Sequence, residues 1–206
     1  MVQAEREPGR ADATRKKILD AVLVLIARGG PGAITYRAVS AESGCPLGVL
    51  TYHFPKRSDL IRAAYESHLE RARDDAQALY EGLVAGRGSS TPIDRSAVAR
   101  AAAGFALGRD EHERARLIAD IELGLETSRD PQLERDLSAT RAETFRVAEE
   151  LMKRSGSQSP NEDTWILIAA IEGLTLESLA RPSDETFNER VPQLLEHLLD
   201  RLFGDP

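Results

Sequence analysis

The sequence predicts an all-α protein built in two parts. Apolar residues recur at three- and four-residue spacing, Val and Ile nowhere fall into period-two runs, and turn signals lie far apart. The charge divides along the chain as well. Residues 1–60 carry nine basic and six acidic groups, a balance of +3, while residues 61–206 carry 18 and 28, a balance of −10, within a total of −7. That split fits a mildly basic module that meets a polyanion and an acidic body that does not. The two parts are taken as residues 11–60 and residues 61–206.

Each element follows from its own signals. Ile18, Ala21, Val22, Leu25 and Ile26 form one helical face, Ala11-Asp12-Ala13-Thr14 offers N-caps, and Gly29-Gly30-Pro31-Gly32 stops the helix. A short helix starts after Thr35 and runs to about Ser43. Gly44 interrupts, Pro46 opens a second short helix, and Pro55 ends it. A long helix over about 56–83 carries Leu60, Ala64, Ala72, Ala76, Leu79 and Leu83 on or near one face. Gly86-Arg87-Gly88-Ser89-Ser90-Thr91-Pro92 reads as a loop. Further helices are expected at about 94–107, 111–127, 131–155, 162–180 and 184–203, broken at Gly108, Asp130-Pro131, 156–160 and Arg181-Pro182.

Several classes fall away. A single cysteine, Cys45, excludes a disulfide scaffold and any multi-cysteine metal site, and it fits a reducing compartment. The longest apolar runs, residues 21–27 and 165–171, have seven residues each, against the ~20 that span a bilayer. No basic-then-apolar leader opens the chain. The expectation is a soluble cytoplasmic protein with no membrane partner. Glu111-His112-Glu113 cannot converge on one ion, because adjacent helical positions point apart. His68 and His197 are isolated, and no Gly-Lys-Ser/Thr phosphate loop is present. No metal or cofactor is called for. No paired catalytic groups present themselves, so the chain is not read as an enzyme.

Two short helices joined at Gly44 make a helix-turn-helix candidate, with glycine suited to a turn that demands positive φ. Val39 and Leu50 point into the shared core, leaving Leu47, Gly48, Thr51 and Tyr52 outward. From Thr35 through Leu60, and more widely across residues 11–60, the chain resembles the DNA-binding domain of the tetracycline-repressor (TetR) family. Thr35, Val39, Gly44, Gly48, Leu50, His53, Phe54, Arg57 and Leu60 fall in register with that pattern. Beyond residue 60 only the helical architecture agrees, together with Glu172-Gly173-Leu174. The chain departs from the pattern at Thr51, where tyrosine is usual, at Leu47, where a small polar or basic residue is common, and at Ser40, where alanine is customary.

Chemistry and resemblance together assign roles. Tyr36 and Arg37 are expected on phosphate, as are Tyr52, His53 and Arg57, with Lys56 nearby; such contacts position rather than specify. Pro46, Leu47, Gly48 and Thr51 are the expected groove readers. Leu47 can touch a thymine methyl but cannot make the bidentate guanine contact of Arg or Lys. Phe54 and Leu60 are expected in the core.

The resemblance further implies that the body binds a small-molecule effector and that the protein is a homodimer. Candidate effector contacts are Phe105, Leu117, Ile121, Phe145, Met152, Trp165 and Ile168, with Glu122 and Arg141 as polar partners. The last two helices are the expected dimer surface: residues 165–171 are apolar all round, and Phe187, Val191, Leu194, Leu195, Leu198 and Leu202 form a broad stripe. The function expected is that of a ligand-responsive regulator binding an inverted-repeat site on double-stranded DNA, a repressor released by its effector. The alternative is a helical interaction module whose helix-turn-helix only packs.

Overall fold

The computed structural model describes residues 10–85, 88, 91–108 and 110–204; part of the loop expected at 86–92 lies outside them. Among the described residues every regular element is helical, as the spacing of apolar residues dictates. The α-helices are α1 (Arg10–Gly29), α2 (Tyr36–Ser43), α3 (Leu47–His53), α4 (Arg57–Val84), α5 (Arg95–Leu107), α6 (Glu111–Thr127), α7 (Pro131–Arg154), α8 (Pro160–Ala180) and α9 (Glu185–Phe203). A 3₁₀ turn at Pro31–Ala33, not anticipated from the sequence, carries the chain from α1 into α2.

Three starts differ from expectation. α1 already runs from Arg10, so Asp12 and Thr14 lie inside the helix and do not cap it. Pro46 is the residue before α3, not its first turn: its ψ of 145° is extended, and its carbonyl accepts from the Val49 and Leu50 amides. α8 begins at Pro160, two residues early, because proline's missing N–H costs nothing in a first turn. Four other starts are capped by side chains. Asp94, Asp110, Asp130 and Asp184 accept from backbone amides at the starts of α5, α6, α7 and α9.

Two apolar cores organise these helices. The first gathers Ile18, Val22 and Ile26 of α1, Val39 of α2, Leu50 of α3 and Leu60, Ala64 and Tyr65 of α4. It also takes in Ala119 and Leu123 of α6 and Leu133 and Leu137 of α7. The second joins Val98, Ala102 and Ala106 of α5, Met152 of α7, Leu167 of α8 and Val191, Leu195 and Leu199 of α9. The first core therefore continues past residue 60, along the opening turns of α4 and onto α6. α4 serves both cores: its end brings Tyr80, Leu83 and Val84 to the second.

Polar ties cross between the same helices. Arg71 of α4 holds Asp20 of α1 at 3.0 Å, and Arg62 of α4 holds Asp136 of α7 at 2.8 Å. His68, buried on α4, meets Asp120 of α6 at 3.1 Å. Among the described residues no helix is long and apolar enough to cross a membrane, and no three metal-ligating side chains gather.

Candidate nucleic-acid interface

The site begins with how two helices of eight and seven residues hold still, since helices this short are not stable alone. Thr35 caps α2, its side chain accepting from the Ala38 amide at 3.1 Å. Gly44 ends α2 with φ 68° and ψ 12°, the left-handed conformation expected of the turn. Ser43 and Ser40 close that turn: the Ser43 hydroxyl donates to the Val39 carbonyl at 2.6 Å and accepts from the Cys45 amide, and the Ser40 hydroxyl donates to the Cys45 carbonyl at 2.7 Å. Ser40, a departure from the family pattern, thus supplies a hydrogen bond that alanine lacks. Val39 and Leu50 are fully buried beneath, as expected.

α3 then shows one face to solvent. Leu47, Gly48, Thr51 and Tyr52 are all exposed, Leu47 at 45% and Tyr52 at 82%, while Leu50 and Phe54 are buried. Positions i, i+1, i+4 and i+5 make one continuous strip, open along its length. The four outward positions read from the sequence are those found. Arg37 at the start of α2 and Lys56 at the start of α4 are exposed beside the strip's ends in sequence. His53 is half-buried, its ring edge-on to Tyr52 at 5.4 Å between centroids.

Two expected phosphate contacts have another task. The Tyr36 hydroxyl donates to the Phe54 carbonyl at 2.6 Å, tying the start of α2 to the end of α3. In the free chain the hydroxyl proton is thus already engaged. Arg57 donates from Nε to the Ile34 carbonyl at 2.7 Å and from Nη2 to the Pro31 carbonyl, which fixes the 3₁₀ turn to the start of α4. Both residues brace the reading head through backbone carbonyls of neighbouring turns. The sequence reading also missed Arg15, whose guanidinium lies 5.6 Å from the Phe54 ring centroid, and the Arg28–Glu42 pair at 2.7 Å that joins α1 to α2. A basic residue within a helix carries no sequence signal for such a partner.

The nine effector candidates are spread more widely. Met152 is fully buried in the second core. Glu122 lies near Gly30, beside the first core, and with Glu126 it pushes the buried Tyr65 phenol upward, although burial itself is the larger cause. The Phe145 and Trp165 rings pack at 4.7 Å, with Trp165 61% exposed. Arg141 is exposed and acts electrostatically on Glu172, whose carboxyl group is pushed upward by partial desolvation and by Asp120. Leu117 comes close to Gly108, Ile121 and Ile168 are half-buried, and Phe105 is exposed on α5. Two open grooves are present, about 320 Å³ between α4 and α7 and about 680 Å³ between α8 and α9, and none of the nine lines either.

α8 completes the geometry by an inversion. It buries Asp163, Thr164, Thr175 and Ser178 and leaves Trp165, Ile166 and Leu176 exposed, the last two at 45% and 57%.

Comparison with known proteins agrees with this architecture. A family model described as the tetracyclin repressor-like C-terminal domain matches residues 93–203. A stretch of 70 residues is 37% identical to the HTH-type transcriptional repressor KstR of Mycolicibacterium smegmatis, covering 33% of this chain and 34% of that protein. A stretch of 57 residues is 39% identical to KstR of Rhodococcus jostii, covering 28% and 27%. The match thus spans about a third of those relatives' length. In three dimensions the chain is similar to a TetR-family transcriptional regulator from Rhodococcus sp., with TM-score 0.70, 24% identity and coverage of 93% and 98%. It is also similar to a transcriptional regulator from Saccharomonospora viridis in complex with choline, with TM-score 0.74, 18% identity and coverage of 94% and 99%. With the family model covering more than half of its residues, the chain belongs to the tetracycline-repressor (TetR) family of transcriptional regulators.

Proposed function

We propose that the protein is a ligand-responsive transcriptional repressor that binds an inverted-repeat site as a homodimer and leaves it when a small molecule occupies the body. The observation that carries this reading is the exposed strip of α3, held by side-chain locks and flanked in sequence by the exposed Arg37 and Lys56. A surface helix braced this way and left without a partner suits insertion into a major groove. Arg37, Lys56, Tyr52 and His53 grip phosphate in this reading, while Pro46, Leu47, Gly48 and Thr51 meet the bases.

The dimer forms through α8 and α9. Trp165, Ile166 and Leu176 of α8 and Leu194 of α9 are exposed apolar side chains that a second copy would cover. The effector acts through α6, which packs on α1 and reaches α4 through Asp120 and His68. A ligand that binds better when α6 has moved must shift both reading heads, and 1–3 kcal/mol of coupling is typical. Ile121, Glu122, Arg141, Phe145 and Ile168, which the monomer leaves at least partly open, are the preferred contacts; Met152 serves the core. Catalysis has no part in this reading.

The test is salt dependence of binding to duplex DNA. Wild-type protein is expected to lose affinity steeply with salt, and Lys56→Ala to lower the log–log slope by about two, one phosphate per head. A folded protein that binds no duplex at low salt would instead establish the interaction-module alternative.

A further inference from the structure

The reading strip of α3 has an unusual chemical content. Its four exposed residues, Leu47, Gly48, Thr51 and Tyr52, carry three side chains, among which there is no amide, guanidinium, ammonium or carboxylate. The bidentate contacts that identify guanine through Arg or Lys, and adenine through Asn or Gln, therefore have no donor on this strip. The hydroxyl of Thr51 is engaged as well: it lies 3.2 Å from the Leu47 carbonyl and 3.3 Å from the Gly48 carbonyl, directed back onto its own helix. With its proton so engaged the hydroxyl can only accept, and the methyl group is the apolar surface Thr51 offers. Leu47, one turn earlier on the same side, is nearly half exposed. Gly48 has no side chain, which lets the backbone between them come close, and the space beside it is open: a Cβ placed there would meet nothing outside its own helix turn within 4 Å.

An apolar patch of this kind has one complementary feature on a major-groove floor, the C5-methyl group of a pyrimidine. Cytosine shows only a C–H at that place, and the remaining base-edge groups are donors and acceptors that an aliphatic side chain would strip of water without replacing their hydrogen bonds. We infer that Leu47 and Thr51 read 5-methylpyrimidines, so that sequence preference at the positions facing α3 is a preference for a methyl group. Thymine supplies that methyl, and 5-methylcytosine carries the same group at the same place. The inference rests on the DNA-binding reading above and specifies what the site recognises.

The experiment uses the full-length protein and the duplex it prefers from a random pool, resynthesised with deoxyuridine for thymine one half-site position at a time. Deoxyuridine keeps every hydrogen-bonding group and lacks only the methyl. At one position per half-site the loss expected is about 4-fold per methyl, and about 15-fold with both heads affected. Leu47→Ala should remove most of the difference between the thymine and deoxyuridine duplexes. Thr51→Ser, which keeps the hydroxyl and deletes the methyl, should shrink the ratio part-way. A 5-methylcytosine·guanine pair at that position should bind more tightly than cytosine·guanine. Equal binding of thymine and deoxyuridine duplexes at every position overturns the inference and leaves DNA binding standing. So does a Leu47→Ala protein that keeps the full ratio, or 5-methylcytosine no better than cytosine. Failure to retain any duplex overturns both the inference and the function it rests on.

Discussion

Both α3 and α8 turn apolar side chains to solvent, and they are held in place in different proportions by polar and apolar contacts. α3 has seven residues, and individual hydrogen bonds from outside it fix its ends: Tyr36 at its last turn and Ser40 and Ser43 at its entry. α8 has 21 residues and lies across a core of alanines and leucines, with polar ties at Asp163 to Ser157 and at Ser178 to Asn188, and with Trp165, Ile166 and Leu176 left outside. A short, locked helix with a small exposed strip suits docking against a rigid groove. A long helix that exposes tryptophan and buries threonine suits a permanent partner, because only covering that surface removes it from water.

The sharpest way to break this comparison is Trp165→Glu. A buried carboxylate at the centre of an apolar seam should dissociate the dimer in sedimentation while the monomer stays folded. DNA affinity should fall by about 100-fold or more as the second head is lost. A variant that remains dimeric would remove α8 from the interface.

Legibility in the sequence divides along the same line. The outward strip of α3 could be read in advance because Gly44 and Pro55 bound a helix only two turns long, in which Leu50 has to face inward. The braces could not. Tyr36 and Arg57 are polar residues beside a DNA-binding motif, and sequence alone does not distinguish a side chain aimed at phosphate from one aimed at a carbonyl 18 or 26 residues away. In the body, helix bounds followed from Asp caps and glycine or proline breaks. The division of apolar residues between two cores did not, because the helical period of apolar residues is the same before and after α4. Met152 and Trp165 both looked like pocket residues; one is fully buried and the other largely exposed.

Smaller changes sharpen the contrast within the reading head. Gly44→Ala puts a side chain at φ 68° and should cost about 1–2 kcal/mol in thermal or denaturant unfolding. Tyr36→Phe removes one hydrogen bond, worth about 0.5–1.5 kcal/mol of stability, and should leave the DNA affinity of the folded protein nearly unchanged. A loss of about 10-fold, uniform across sequences and with folding intact, would return Tyr36 to the phosphate.

The smallest effect is expected on α8. Glu172 has its carboxyl pushed upward, so the folded chain holds that proton more tightly than the unfolded one. The stability gained is complete below the ordinary carboxylate range and is lost as pH rises through the raised value. Glu172→Gln should therefore be more stable than wild type near neutral pH, by less than about 0.5 kcal/mol, with the advantage gone below about pH 4. An advantage that grew on acidification would contradict the assignment.

The most direct measurement retains random-sequence duplexes on ligand-free, full-length protein at low salt and sequences what stays bound. The account predicts an inverted repeat whose half-site centres lie one helical turn apart, about 34–36 Å, the spacing of two docked α3 helices. Folded dimeric protein that retains no duplex, or retains duplexes without any enriched repeat, would contradict it.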